Sequence, residues 1–473
     1  MLLGPAVALT MIAAGPPESL SPAGWNTAAM GLLMAIWWAT EALPIAVTAL
    51  LPLVFFPLLG IASIDVAAAP FANKVIFLFL GGFVIALAMQ RWNLHHRIAL
   101  TVLQHAGRNG RTLVGGFMLA CALLSMWVSN TSTTMMMLPI AISVIGVIHR
   151  SVPGQTDKSR NDFRLALLLG VAYAASIGGL ATLVGSPPNA MMAAFLRESY
   201  RIEIDFAHWL LVGLPLSAAL LPLTWLVLTR ILFRVDFTTS AEGRALLKKM
   251  KDDLGAISRP EKRVAVVFLV VGLCWMFRPL LAKLPGFGML DDSGIAMAGA
   301  VALFLVPSGD KADPMLLRWR HVEKLPWNIL ILFGGGLALA AAVTDTGLAI
   351  WLGENLQALT ALPAPLLVLI VTAMIIFLTE LTSNTATAAT FLPVVAAVAV
   401  EAGIDPLVLA VPVTLAASCA FMLPVATPPN AIVFGSGMLS IPEMAKAGFA
   451  LNLIAIVLIS FLALTIAPYF LQG

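Results

Sequence analysis

The sequence predicts an all-α polytopic membrane protein of eleven transmembrane helices plus two polar-tipped segments, arranged as inverted repeats of five spans. Three observations predict it. The 473 residues are 60% hydrophobic and only 11% charged, with a mean hydropathy of +0.97, far above soluble globular chains. Apolar segments long enough to approach or cross a hydrocarbon core of roughly 30 Å recur from end to end, joined by short polar links, so no soluble domain is expected. Three short motifs then occur twice, in the same order.

In chain order, spans are expected near 2–14, 25–40, 44–60, 75–91, 165–196, 207–229, 263–283, 293–307, 327–343, 406–435 and 447–470. The opening MLLGPAVALTMIAAGPP lacks the basic start of a signal peptide and reads as a short first span. Stretches 112–149 and 362–400 carry a polar tip in the middle, and each is either a pair of crossings or a re-entrant hairpin. Cys121, Cys274 and Cys419 sit singly in apolar segments, with no disulfide or metal spacing, and are expected to pack. Trp25, Trp37, Trp38, Trp209 and Trp327 near span ends read as interfacial anchors.

Placing 91–111, 150–164, 230–263, 308–325 and 436–446 on one side collects all the basic residues except Lys74, Arg197, Arg201, Arg278 and Lys283. That side is cytoplasmic by the positive-inside rule, which puts the N-terminus inside and the C-terminus outside. The basic segment EGRALLKKMKDDLG within 236–263 reads as an interfacial helix.

The repeat lies in the polar motifs. WVSNTSTTMMMLP at 127–139 is answered by LTSNTATAATFLP at 381–393, VGSPPNAM at 184–191 by VATPPNAI at 425–432, and Gly81-Gly82 by Gly334-Gly335. Equivalent points are separated by five crossings, an odd number, so the halves are inverted in the membrane. One tipped segment then enters from the cytoplasm and the other from outside. Inverted repeats with interrupted helices and a midplane site characterise secondary transporters.

A polar run inside hydrocarbon is tolerated only where it is buried in protein or lines a wet cavity. Pro187-Pro188 and Pro428-Pro429 force breaks, because each ring removes a donor and blocks a continuing helix. A break leaves carbonyls that suit a cation and amides that suit an anion. Hydroxyls and the Asn amide at the tips offer the same two functions, so Ser129, Asn130 and Thr131, with Ser383, Asn384 and Thr385, are the expected site. A lone Ser-Asn-Thr is more simply read as helix glue. Recurrence of the triplet together with Pro-Pro-Asn in both halves favours a site.

The expected site has no Lys or Arg; Asn130, Asn189, Asn384 and Asn430 are neutral donors. All six histidines fall in links or at span ends, which disfavours a proton relay and favours Na+. Glu41 lies at a cytoplasmic span end. Glu380 lies in one arm of the second tip but faces Met126 in the first, so a symmetric site does not rest on it, and Glu380→Gln is expected to leave Na+-driven transport at least partly working.

With both Ser-Asn-Thr and Pro-Pro-Asn pairs, TEALPIAVTALLP at 40–52 and SCAFMLPVATPPNAIV at 418–433, the chain resembles the divalent anion/sodium symporters, the family of Na+-coupled dicarboxylate and citrate carriers. The resemblance implies a homodimer with eleven spans and two re-entrant hairpins per protomer, working as an elevator. By position it assigns one sodium to Ser125, Ser129, Asn130 and the backbone at Gly185, and another to Thr379, Thr382, Asn384 and the backbone at Ala426. The two triplets, with Ser186, Thr427 and Pro428, would contact the carboxylates. Residues 1–110 and 263–361 would form the scaffold, 111–235 and 362–473 the transport domain, and 236–262 a cytoplasmic linker. Na+ is the only expected cofactor, as co-transported ion, and no nucleic-acid partner is expected. Length and the lack of a long extracellular insertion point to a bacterial inner membrane.

The function expected is Na+-coupled uptake of C4-dicarboxylates such as succinate, malate or fumarate. A Na+-independent exchanger of dicarboxylates or citrate shares every motif. A channel could also use broken helices. An embedded enzyme is disfavoured, because the expected midplane has no His/Asp constellation or activated nucleophile.

Overall fold

The computed structural model describes residues 1–105, 109–152, 156–238, 241–310, 313–355 and 362–471. Among these, all regular structure is helical, apart from isolated bridges joining Asn109 to Thr238 and Pro307 to Met315. Arg108 and Lys311, two of the bases used for orientation, and residues 356–361 of an expected external loop lie outside the described residues.

Helices follow the apolar runs, with prolines and caps setting their ends. Helix α1 (Leu3–Ala14) packs along α2 (Pro22–Thr40), tied by Trp25 Nε1 to the Met11 carbonyl (2.7 Å) and Trp37 Nε1 to that of Met1 (2.9 Å). Its 12 residues reach about 18 Å at 1.5 Å each, so this helix alone does not complete the span expected at 2–14. The span expected at 44–60 is two short pieces, Ile45–Ala49 and Leu51–Leu58, interrupted around Pro44, Pro52 and Pro57.

Next come α3 (Lys74–Arg91), the short α4 (Leu94–Gln104), α5 (Gly110–Ser125), α6 (Asn130–Ser151), α7 (Asp157–Leu180), α8 (Pro187–Tyr200) and α9 (Phe206–Leu226). Helix α10 (Ala241–Asp252) links the halves, and α11 (Arg259–Met276) opens the second. The second half repeats the order: α12 (Asp292–Leu305), α13 (Trp327–Asp345), the short α14 (Leu348–Asn355), α15 (Ala364–Thr379), α16 (Asn384–Glu401), α17 (Leu407–Ala417), α18 (Pro428–Phe434) and α19 (Ile441–Leu471). Among the described residues, 7 helices are long and apolar enough to cross a membrane.

The spans expected at 165–196 and 406–435 are each two helices. Non-helical chain at 181–186 and 418–427 leads into the Pro-Pro pairs, which occupy the first helical positions of α8 and α18, where a missing N–H costs nothing. Helix α7 is the centre of the molecule, buried on all sides from Leu165 to Leu180. Gly178 lets it touch α5: a Cβ there would stand 2.3 Å from the Ala122 carbonyl oxygen. The basic α10 packs on α4, where Lys251 Nζ meets Gln104 Oε1 (2.7 Å) and Arg97 reaches Glu261 (2.8 Å) and the Gly255 carbonyl (3.0 Å). The interfacial helix expected there therefore has a protein face.

Candidate functional site

The two tips and two breaks meet around one cavity of about 750 Å³. Ser129, Asn130 and Thr131 line it from the first tip, and Thr382, Ser383, Asn384 and Thr385 from the second. Gly185 and Ser186 join from the first break; Ala426, Thr427 and Pro428 join from the second. Ser125 and Thr379 are buried behind this wall. Ser125 Oγ donates to Asn130 Oδ1 (2.5 Å), while Thr379 Oγ1 lies 3.0 Å from Asn384 Oδ1 and 2.9 Å from the Ala417 carbonyl.

The same arrangement therefore occurs twice. In each tip the Asn oxygen turns back to a hydroxyl, and its Nδ2 is bonded to no described group. Helices α6, α8, α16 and α18 begin at Asn130, Pro187, Asn384 and Pro428, and all four residues stand in the cavity wall. First-turn N–H groups lack intrahelical partners and carry partial positive charge, so the cavity favours an anion. Among the described residues its wall contains no Lys, Arg or His, and the one charged side chain is Glu41, the left-handed (φ 46°) residue that ends α2.

Asn189 and Asn430 are corrected by the structure. Both are fully buried, and their Nδ2 groups are used inside the breaks: Asn189 donates to the Gly179 (3.1 Å) and Thr182 (2.8 Å) carbonyls, Asn430 to those of Ala420 (3.2 Å) and Leu423 (3.0 Å). Interrupting a helix in a dry core frees carbonyls that need donors, and these amides supply them. They hold the breaks in shape rather than offering N–H to a ligand.

Other ties join tip to break. Thr182 Oγ1 donates to the Met126 carbonyl (2.6 Å) in the first half, and Ser186 Oγ and Ser418 Oγ sit 2.9 Å apart between the breaks. In the second half Glu380 bridges tip and break through its carboxylate, a role its position in the sequence did not reveal.

The halves differ in exposure. Trp127, next to the first tip, packs on Phe206 (centroids 5.7 Å apart, 24° between planes), Trp275 (6.4 Å, 4°) and Phe268 (5.0 Å, 89°). Beside this stack, Arg278 bridges Asp205 (2.5 Å) and Asp292 (3.3 Å). Burial alone would raise the Asp205 carboxyl, but the His208 N–H and the Arg278 guanidinium hold it below the ordinary carboxylate range. At the equivalent positions of the second half, Leu381 is 68% exposed and Val425 80% exposed, whereas Val184 is half-buried. The cavity is thus closed beyond the first tip and open beyond the second, toward Thr40, Glu41 and Asn328.

Comparison with known proteins assigns the class. The family model for the sodium:sulfate symporter transmembrane region matches residues 1–470. The chain belongs to the sodium:sulfate symporter family. As a member it is a membrane transporter and not an enzyme. It is 42% identical over 471 residues to the sodium-dependent dicarboxylate transporter SdcS of Staphylococcus saprophyticus, covering 99% of this chain and 91% of that one. Its similarity to SdcS of Staphylococcus aureus strain USA300 has the same identity and coverage. Two solved transporters share the fold alone: Alcanivorax borkumensis YdaH (TM-score 0.55, 14% identity, 94% of this symporter-family chain and 99% of that one) and Neisseria gonorrhoeae MtrF (TM-score 0.53, 12% identity, 96% of each).

Proposed function

We propose that this chain imports C4-dicarboxylates such as succinate, malate or fumarate together with Na+. One observation carries the reading: twin Ser-Asn-Thr tips and four helix N-termini face one cavity whose wall, among the described residues, has no cationic side chain. A dianion held there by neutral donors needs compensating charge, and co-bound Na+ supplies it. Two equivalent donor sets suit a ligand with an anionic group at each end better than a single tetrahedral anion. The 42% identity to sodium-dependent dicarboxylate transporters supports the same choice.

In this reading Ser129, Asn130, Thr131, Ser383, Asn384 and Thr385 hold the two carboxylates, and Ser186, Thr427 and Pro428 complete the pocket. Ser125, Ser129, Asn130 and the Gly185 carbonyl take one sodium. Thr379, Thr382, Asn384 and the Ala426 carbonyl take the other. The chain crosses a bacterial inner membrane eleven times with its N-terminus inside, the α5/α6 and α15/α16 pairs being re-entrant hairpins of inverted repeats. A homodimeric scaffold (1–110 and 263–361) supports a transport domain (111–235 and 362–473) that moves as an elevator.

Asn328 lies next to the 308–325 link assigned to the cytoplasm, and Thr40 and Glu41 lie at the cytoplasmic end expected for the 25–40 span, so the cavity described above is the inward-open one. The Trp127 stack and the Arg278 bridges then seal the outer side. If more than two Na+ accompany each dianion, every net charge entering gains about 2.3 kcal/mol per 100 mV, and uptake is voltage-driven.

Radiolabelled succinate uptake into proteoliposomes tests this. Accumulation under an inward Na+ gradient and none with K+ is the expected result. Uptake in K+ that requires succinate preloaded inside would make the protein an exchanger and overturn the sodium assignment.

A further inference from the structure

Glu380 carries a carboxylate with no partner of opposite charge among the described residues. It is 3% exposed and ends α15, where the chain enters the second tip. Oε1 accepts from the backbone N–H of Phe421 (2.8 Å) and Met422 (2.9 Å) and from Asn452 Nδ2 (2.8 Å). Oε2 accepts from the N–H of Met422 (3.1 Å) and Leu423 (3.0 Å). Three consecutive backbone amides thus form a nest around it, and every neighbour is a neutral donor. A proton on either oxygen would point at an N–H, so the site is built for the carboxylate. Glutamine fits poorly for the same reason: its NH2 would face those amides, so Glu380→Gln should be more harmful than the sequence suggests.

The first half holds no such charge. Met126 occupies the equivalent position, and its break is tied by the Thr182 hydroxyl instead. The two halves of an otherwise paired site therefore differ by one buried negative charge.

The position of that charge is informative. Thr379, Thr382 and Asn384 flank Glu380 in the tip, and Ala426 follows the third bonded amide by three residues. These four residues are the proposed second sodium site. Hydrogen bonds offset only part of the cost of burying a carboxylate in a membrane core, and a nearby cation offsets more.

We propose that Glu380 is a positioning residue for the second sodium: it fixes the 421–426 backbone that supplies the Ala426 carbonyl, and its charge makes the two sodium sites unequal. The second fills at lower Na+ than the first. This rests on the sodium-coupled reading above.

The test is thermal unfolding of the purified full-length protein, followed by tryptophan fluorescence, as NaCl replaces choline chloride at constant ionic strength. Wild type is expected to be stabilised by Na+ with a measurable half-saturation; a wild type indifferent to Na+ overturns the sodium reading and this inference with it. Glu380→Gln should raise half-saturating Na+ at least tenfold, the change that loss of a unit charge about 10 Å away implies at an effective dielectric of about 20. Glu380→Asp keeps the charge and should raise it less. Asn452→Ala removes a donor but leaves the charge less satisfied, so it should not raise half-saturation. An uncharged structural clamp predicts the reverse: Asp as harmful as Gln, and Asn452→Ala weakening Na+ binding. Either result would overturn the proposal while leaving sodium coupling in place. Should Glu380→Gln fail to fold, the sign of the Asn452→Ala effect still decides.

Discussion

Gly179→Ala should disable the first sodium site while leaving the fold in place. Gly179 sits one residue before the end of α7, and a Cβ built there lies 2.7 Å from Asn130 Oδ1 and 2.9 Å from the Gly185 carbonyl oxygen. Both oxygens are proposed sodium ligands. An ordinary carbon–oxygen contact is about 3.4 Å, so Asn130 must retreat by roughly 0.7 Å, more than the ~0.5 Å a binding constellation tolerates. The two halves point the same way. Ser125, Gly179 and Gly185 answer Thr379, Ala420 and Ala426, so the first half is a methyl smaller at each place. Its hydroxyl-to-Asn distance is also shorter, 2.5 Å against 3.0 Å. The assay is the Na+ dependence of succinate uptake into proteoliposomes at matched protein density. At least a tenfold rise in half-saturating Na+, about 1.4 kcal/mol, is expected. Gly178→Ala is the contrast, because its Cβ meets the backbone of Ala122 and should lower unfolding temperature instead. Wild-type Na+ dependence and rate in Gly179→Ala would refute the assignment of Asn130 and Gly185 to a cation.

Asn130→Ala and Asn384→Ala should each abolish Na+-driven uptake in protein that still purifies as a single species; near-normal uptake by either would make the tips structural. Asp205→Asn should loosen the outer seal, read as faster labelling from outside of a cysteine placed at Thr131, in the cavity wall behind the Trp127 stack, by a membrane-impermeant maleimide; unchanged labelling counts against the seal. Because the Asp205 carboxyl is depressed, its contribution is present above about pH 4 and is lost only as pH falls through its lowered value, so the labelling rate of otherwise unaltered protein, divided at each pH by that of a free thiol to remove the thiolate's own titration, should be flat from about pH 5 to 8. Gly81→Val should cost roughly 1–3 kcal/mol of stability, since even a Cβ there stands 2.6 Å from the Ala296 backbone of α12, and the check is a fall in unfolding temperature with or without Na+.

What the sequence showed and what it hid separate along a physical line. Hydrocarbon solvent imposes a rule on composition, so apolar runs, the polar tips and the Pro-Pro breaks stand out without any knowledge of packing, and the tips and breaks do surround one cavity. The rule says nothing of which group satisfies which. Asn189 and Asn430 look like ligand donors in a motif, yet the breaks they follow consume their N–H groups; a Pro-Pro interruption that frees carbonyls, with an Asn just after it, was the available signal. The asymmetry is harder still to read. Met126 against Glu380 looks like loss of symmetry at one position, but it replaces a Thr182 hydroxyl tie with a carboxylate nest at 421–423, and it coincides with three missing methyls around Asn130. A pair of sites related by inversion need not be a pair of equal sites: in the proposed reading one is made selective by tight space, the other by charge. On that reading an order of filling follows, since the charged site would attract a cation before the anion arrives, while the small neutral one would depend on the anion to complete its field.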